Sequence, residues 1–291
     1  MVRQTDYFDI DLNQYEENGF LVIPTSNNQE MVRLASRCEN LAESLIKSDH
    51  KGNFQFQNEE GIPRQVTDIL RYDQTFLRTF NNDIIKKVVK QVLVRGRYFV
   101  THSKLSFKTP GCSTLWSPHQ DNGYKTLFGE KPREGLALMI MLEDVNEENG
   151  AIQFFPGSHL KGSLPHFKQI ESERGDFQII VSDLPKTEPI SIRAKTGDIC
   201  IFSLNTVHQS GPTTNDSMRF AVLAEISPYS GQSVDGSGGS PILIIGEQTK
   251  FENLRSSIGK IMSIKALKYR LKMLGAKRLL KFYRTIRDRN I

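Results

Sequence analysis

The sequence predicts an all-β sandwich or jelly roll with helices packed on its outside. Three observations carry this expectation. The apolar period changes from helical to alternating near Arg97, the strands that follow are short, and turn signals bound each of them. Many short strands joined by loops fit a sandwich or jelly roll better than a parallel α/β sheet.

Taken in order, Asn13 to Asn18 reads as a turn or so of helix ending at Gly19. Phe20-Leu21-Val22-Ile23 is a short buried strand closed by Pro24. Ser26-x-x-Gln29 has the form of a capping box. After it, Met31, Leu34, Ala35, Cys38, Leu41, Ala42 and Leu45 keep helical spacing to about Lys47. A second helical stretch, Asn82 to Leu93, puts Ile84, Ile85, Val88, Val89 and Val92 on one side. Tyr98 to Lys108 alternates as a strand, so His102, Lys104 and Ser106 share a face. Later strands are expected at Leu136–Leu142, Ala151–Phe155, Ile190–Ile192, Asp198–Ser203 and Phe220–Ile226. The connections around Gly52–Arg71, Asn122–Gly135 and Gly157–Pro189 are long, and are expected to be lids or specificity elements. Ser230 to Ser240 is a Gly/Ser-rich loop, with no Gly-Lys-Ser/Thr to make it a phosphate loop.

Composition excludes several classes. With 38% apolar and 24% charged residues, the 291-residue chain has a globular composition. No run of about 18 apolar residues is present, and the first residues lack the apolar core of a secretory signal. The three cysteines, Cys38, Cys112 and Cys200, are odd in number and far apart, which argues against a disulfide framework or a Cys-x-x-Cys metal site. A reducing cytoplasm is therefore the expected location. The net charge of +5 conceals an asymmetry: Lys260 to Arg289 holds eleven Lys/Arg and one acid, so the rest of the chain carries −5.

The candidate chemistry sits in Ser117-Pro118-His119-Gln120-Asp121-Asn122-Gly123. A His-x-Asp triplet arises by chance about 0.3 times in such a chain, so it needs context. If the segment is a strand, His119 and Asp121 point the same way and reach one metal ion together. The alternative is an exposed polar pair. A second histidine, His208, follows in Thr206-Val207-His208-Gln209-Ser210-Gly211. Two histidines and one carboxylate with open positions is the ligand set of a non-haem Fe(II) oxygenase. Arg219 opens an apolar strand. There it needs a carboxylate partner, either an internal Asp or Glu or a dicarboxylate such as 2-oxoglutarate, which Ser210 would also reach.

These segments resemble the phytanoyl-CoA hydroxylase-like (PhyH) branch of the Fe(II)/2-oxoglutarate dioxygenases, over about Tyr15 to Ile226. The similarity includes Tyr15-Glu16-Glu17-Asn18-Gly19-Phe20, the His119 motif, Leu142 to Ile152, Phe155-Pro156-Gly157-Ser158-His159, and Gly197-Asp198 leading to His208, Ser210, Gly211 and Arg219. The resemblance implies a double-stranded β-helix, or cupin-like jelly roll. It implies His119, Asp121 and His208 as iron ligands, and Arg219 and Ser210 as holders of the distal carboxylate of 2-oxoglutarate. Lys104 or Ser106 is expected to add a contact to that cosubstrate. His102, Trp116, Tyr124 and His159 are candidates for the substrate side, His159 alternatively for a structural role. His50 and His166 lie in polar segments and are expected to be exposed. With Fe(II), 2-oxoglutarate and O2, the implied reaction is oxidation of a small-molecule or carrier-linked substrate with release of succinate. Related halogenases have a small residue in place of Asp121, so the carboxylate favours hydroxylation. Desaturation, ring formation and dealkylation use the same oxidant. A zinc hydrolase and a non-catalytic jelly-roll binding module are readings of another class.

Residues 1–246 are expected to form the oxygenase domain and residues 247–291 a basic amphipathic helical tail. Ile261, Ile264, Leu267, Leu271, Leu274, Leu279, Tyr283 and Ile286 give the tail an approximately helical apolar stripe. One reading packs it on the barrel or against a second copy in a homo-oligomer. The other docks it on an anionic membrane surface or an acidic carrier protein, which would make the protein peripheral at a membrane. Nucleic acid is not expected, because no aromatic-rich basic platform accompanies the charge.

Overall fold

The computed structural model describes residues 10–47, 54–56, 63–71, 73–93, 97–108, 116–127, 132–168, 177–216, 218–228 and 242–245. The tail, the Gly/Ser-rich segment, Cys112 and His50 lie outside them, as does the division after residue 246. In chain order the elements are α1 (Leu12–Asn18), β1 (Phe20–Ile23), α2 (Gln29–Lys47), β2 (Phe54–Phe56), β3 (Pro63–Thr67), α3 (Gln74–Phe80) and α4 (Asp83–Val92). Then come β4 (Tyr98–Lys108), β5 (Trp116–His119), α5 (Asp121–Leu127), β6 (Leu136–Met141), β7 (Ile152–Phe154), β8 (His166–Lys168) and β9 (Phe177–Ile179). The last are β10 (Ile190–Ser191), β11 (Ile199–Ser203), β12 (His208–Ser210), β13 (Arg219–Ser227) and β14 (Ile242–Ile245).

The strands form a large sheet in the order β1-β11-β6-β13-β4-β3-β2, with β14 also on β4, a small sheet in the order β10-β7-β12-β5, and a two-stranded sheet of β8 and β9. Among the described residues every strand pairing is antiparallel. The period-two alternation divides each strand of the large sheet between two cores. Leu136, Leu138 and Ile140 join Phe220, Val222 and Ala224 beneath α2, α3 and α4. Ala137, Met139 and Met141 join Ala221 and Leu223 on the other face, against Ile152 and Phe154 of the small sheet. Both faces of the large sheet are thus covered, and β13 is buried along its whole length. The result is the expected jelly roll with helices on one outer face. Among the described residues no helix is long and apolar enough to cross a membrane.

Local signals explain the element ends. Gly19 adopts the left-handed conformation (φ +80°) and donates to the Tyr15 carbonyl, closing α1. The start of α2 differs from expectation. Asn28, not Ser26, caps it, accepting from Glu30 N and Met31 N through Oδ1. The Ser26 backbone N–H is instead turned to Asp198 Oδ1 at 2.8 Å, which draws that residue out of the cap position. The stretch around Gly52–Arg71, expected to be a lid or specificity element, contributes β2 and β3 to the large sheet, with Gln65 opposite Ser106 and Thr67 opposite Lys104.

Candidate metal and cosubstrate site

The small sheet and the large sheet each supply part of one cavity. On the small sheet, β5 and β12 pair so that His119 and His208 are direct cross-strand partners. Their ring centroids are 4.2 Å apart. Asp121 does not continue the strand as expected: β5 ends at His119 and Asp121 is the first residue of α5. The turn at Gln120 brings the carboxylate to the histidines, where a helix N-terminus also favours its charge. His208 Nε2 and Asp121 Oδ1 stand 4.0 Å apart. The ligand atoms of His119, Asp121 and His208 all lie within 4.8 Å of one another, and all three residues are buried.

The chain orients both imidazoles locally. His119 Nδ1 donates to the Ser117 carbonyl at 2.7 Å and His208 Nδ1 to the Thr206 carbonyl at 3.0 Å. A carbonyl only accepts, so each ring carries its proton on Nδ1 and presents a lone pair at Nε2, the arrangement a metal-binding histidine needs. Burial pushes the His119 pKa well below the usual imidazole range, with His208 adding to the effect, and burial likewise lowers His208. Burial would raise Asp121, but His208, Lys104, Lys125 and His102 outweigh it and hold the carboxyl below its usual value. With both Nδ1 atoms turned to carbonyls and the Asp121 carboxyl held low, the three residues turn two Nε2 atoms and a carboxylate toward one another. Asp121 Oδ2 is buried without a hydrogen-bond partner.

The large sheet supplies the cationic end. Arg219 begins β13, opposite Lys108 of β4, with Ala221 opposite Ser106 and Leu223 opposite Lys104. Arg219, Ser210, Lys104, Ser106, His119 and His208 line the same cavity. Among the described residues Arg219 has no acidic partner within ion-pair distance; its Nε and Nη1 and the Ser210 Oγ are buried and unsatisfied. Burial brings the Arg219 pKa down to about 10, against a smaller opposing effect of Glu143, so the guanidinium stays charged at neutral pH. Buried donors with no acceptor are costly, and a bound carboxylate answers all three. Two imidazoles lining the cavity, a carboxylate with an orphaned oxygen within 4.8 Å of them, and a guanidinium unpaired among the described residues fit an Fe(II) ion with a dicarboxylate beside it.

The remaining candidates divide. Trp116 opens β5, lines the cavity, and carries the Arg64 guanidinium 3.2 Å from its ring centroid, with Lys104 Nζ at 5.6 Å. His102 shares the inner face of β4 but pairs with Glu225, at the end away from Arg219. Tyr124 falls in α5, and its side chain lies outside the described residues. His159 Nε2 meets the Glu16 carbonyl at 3.0 Å and its ring packs against Gly19, contacts of the kind its alternative, structural reading requires. His166, expected to be exposed, is half-buried and accepts the Gln120 backbone N–H through Nε2 at 2.9 Å. Arg64, Lys125 and Glu225 were not singled out by the sequence. Lys125 and Glu225 form a nearly buried ion pair at 2.6 Å between α5 and β13. A lysine four residues after Asp121, with a glutamate inside an apolar strand, was the available signal.

Comparison with known proteins agrees with this geometry. The family model for phytanoyl-CoA dioxygenase (PhyH) matches residues 15–221. The phytanoyl-CoA dioxygenase domain-containing protein 1 of Mus musculus is 25% identical over 186 residues, 63% of each chain. A probable alpha-ketoglutarate-dependent hypophosphite dioxygenase of Stutzerimonas stutzeri is 31% identical over 118 residues, 38% of each. The matched stretch thus spans about three-fifths of the mouse relative's length and less of the other. Among solved structures, the epimerase SnoN in complex with Fe3+, alpha ketoglutarate and nogalamycin RO superposes with a TM-score of 0.57 at 20% identity, covering 75% of this chain and 82% of that one. At that identity the likeness speaks for the jelly-roll fold. The family match covers most of the chain and includes both histidines, Asp121 and Arg219, and on that ground the chain belongs to the phytanoyl-CoA dioxygenase (PhyH) family.

Proposed function

We propose that the protein is a non-haem Fe(II)/2-oxoglutarate-dependent oxygenase that hydroxylates a small-molecule or carrier-linked substrate. One observation carries this reading: three buried ligand groups converge within 4.8 Å, and two of them, His119 and His208, line a cavity with Arg219, whose Nε and Nη1 are buried without a partner among the described residues. His119, Asp121 and His208 would hold iron from one side, leaving its other positions for 2-oxoglutarate and O2. Arg219 and Ser210 would take the distal carboxylate, with Lys104 and Ser106 beside it on β4. When bound, iron and 2-oxoglutarate supply oxygen activation; O2 and 2-oxoglutarate become succinate and carbon dioxide, and one oxygen atom goes to the substrate.

The chain's own contribution is orientation and exclusion. The two Nδ1–carbonyl bonds aim the imidazoles, and Met139, Ile152 and Leu223 give the cavity a dry wall. Asp121 would be a metal ligand where related halogenases have a small residue, which favours hydroxylation over halogenation. A zinc hydrolase would use the same three ligands but leaves Arg219 without a task. Cys38 and Cys200 are buried thiols whose pKa values are raised by burial, which makes them packing groups rather than nucleophiles. The proposed cytoplasmic location rests on the sparse, unpaired cysteine usage of the sequence.

The test is Fe(II) and 2-oxoglutarate binding under anaerobic conditions, with succinate formation on admitting O2, in the wild type and His208→Ala. The wild type binds both and forms succinate slowly without substrate. His208→Ala lowers Fe(II)-dependent succinate formation by more than about 100-fold. A folded wild type that binds neither Fe(II) nor 2-oxoglutarate overturns the proposal.

A further inference from the structure

We propose that His166, acting through Gln120, is a positioning residue that sets the His119–Asp121 turn and ties it to the loop before His208. This rests on the metal-site reading above and deepens it. His119 and Asp121 lie on either side of Gln120, so the orientation of this residue's backbone aims both side chains. Its N–H is at the change from strand to helix, where neither the β5 ladder nor an α5 turn uses it. His166 Nε2 accepts it at 2.9 Å. For Nε2 to accept, the ring must be neutral, with its proton on Nδ1; that proton goes to the Leu164 carbonyl at 2.8 Å. The ring is thus pinned at both nitrogens.

The side chain of Gln120 extends the device. It is fully buried, donates to the Gly162 carbonyl at 2.8 Å and the Asn205 carbonyl at 2.5 Å, and accepts from Leu164 N at 2.7 Å. Asn205 is three residues before His208. Asn122 N adds a bond to the neighbouring Leu204 carbonyl at 3.0 Å, and its amide a bond to Asn205 Oδ1 at 2.8 Å. One hydrogen-bonded cluster therefore joins the chain segments that carry all three ligands. Gly123 completes it by close approach: a Cβ there would lie 2.1 to 2.3 Å from three atoms of the His166 ring. Only glycine lets the ring reach Gln120 across the first turn of α5. Metal sites tolerate little error in ligand placement, and groups that orient the ligands are worth about 10- to 100-fold in affinity.

The test uses Co(II), whose affinity and visible spectrum report on ligand geometry apart from turnover. His166→Phe keeps a ring against Gly123 but removes the acceptor; His166→Gln restores an acceptor at the reach of Nε2. His166→Phe is expected to bind Co(II) about 10- to 100-fold more weakly with an altered spectrum, and His166→Gln to return within about threefold of the wild type with the native spectrum. Gly123→Ala approaches the same contact from the other side. It suits a helix better than glycine does, yet it should displace the ring and weaken Co(II) binding comparably. In a His166→Ser background, Gly123→Ala should add nothing further, because the clash has gone. His166→Phe with wild-type affinity and spectrum overturns the inference. If that variant does not fold, Gly123→Ala with wild-type Co(II) binding overturns it instead. A folded wild type that binds no Co(II) overturns the metal-site reading and this inference with it.

Discussion

The metal end and the anion end of the cavity are finished differently by the chain around them. At the metal end, the Nδ1 proton of each imidazole is bound to a carbonyl two residues back, and Asp121 rides on a helix tied to β13 by Lys125–Glu225. At the anion end, Arg219 and Ser210 present buried donors that nothing among the described residues accepts. The metal end is framed by hydrogen bonds within the chain, local ones to the imidazoles and long-range ones through Gln120. The anion end carries an uncompensated cost that a bound carboxylate would relieve. Ligand geometry should therefore depend on scaffold residues, and cosubstrate affinity on Arg219 itself.

The largest effect expected comes from breaking the scaffold of the metal end. Lys125 and Glu225 are only 10% and 11% exposed, and Lys125 lies one helical turn after Asp121. Lys125→Met leaves Glu225 buried without its partner, which costs about 3–5 kcal/mol. Denaturant unfolding checks this. In Lys125→Met/Glu225→Leu most of the stability should return, because a buried ion pair is often no better than apolar side chains of similar volume. If the single variant unfolds like the wild type, the pair does not hold α5 and the contrast between the two ends fails.

At the anion end, function and stability should move in opposite directions. Arg219→Met removes the charge-assisted pair to 2-oxoglutarate, worth about 3 kcal/mol or roughly 100-fold in its Kd, and leaves Fe(II) affinity unchanged. It also removes an unpaired buried charge, so the ligand-free variant should melt higher than the wild type. Calorimetric titration and thermal melts read the two effects separately. A variant that loses Fe(II) as well as 2-oxoglutarate would mean the ends are coupled.

The same division decides what was legible in the sequence. Strand alternation, the His119, Asp121 and His208 positions and Arg219 could be read because each signal is carried by nearby residues or by an unusual residue type. The alternation that placed Lys104 and Ser106 on the inner face of β4 was likewise local. The break after His119 was not visible, because Gln120 turns the chain through partners 42 to 85 positions away. His166 sits 46 positions from the N–H it accepts, in a segment whose polarity suggested exposure. The hairpin of β2 and β3 was hidden too. Arg64, Gln65 and Thr67 look like loop residues, but they are buried because the strand lies against β4 and, through Arg64, on Trp116. Polar residues buried by tertiary pairing carry no periodic signal of their own.

The smallest expected effect tests the electrostatics behind Arg219. Burial, and then the nearby Glu39, push the Glu143 carboxyl up to about 7, against a backbone hydrogen bond from Phe220 and, after it, the Arg219 charge. The folded pKa lies above the ordinary carboxyl value of 4.5, so between these values the folded state holds more protons than the unfolded one. Stability associated with Glu143 is therefore full at pH 4 and is lost as pH rises through about 7. Glu143→Gln should melt close to the wild type at pH 4 and about 1–3 °C higher at pH 8, the small size reflecting a half-exposed group. A gap that is constant with pH would show that Glu143 is not titrating in this range. A variant that melts lower at pH 8 would show instead that its charge is a needed partner of Arg219, and that the anion end is partly neutralised from within the chain.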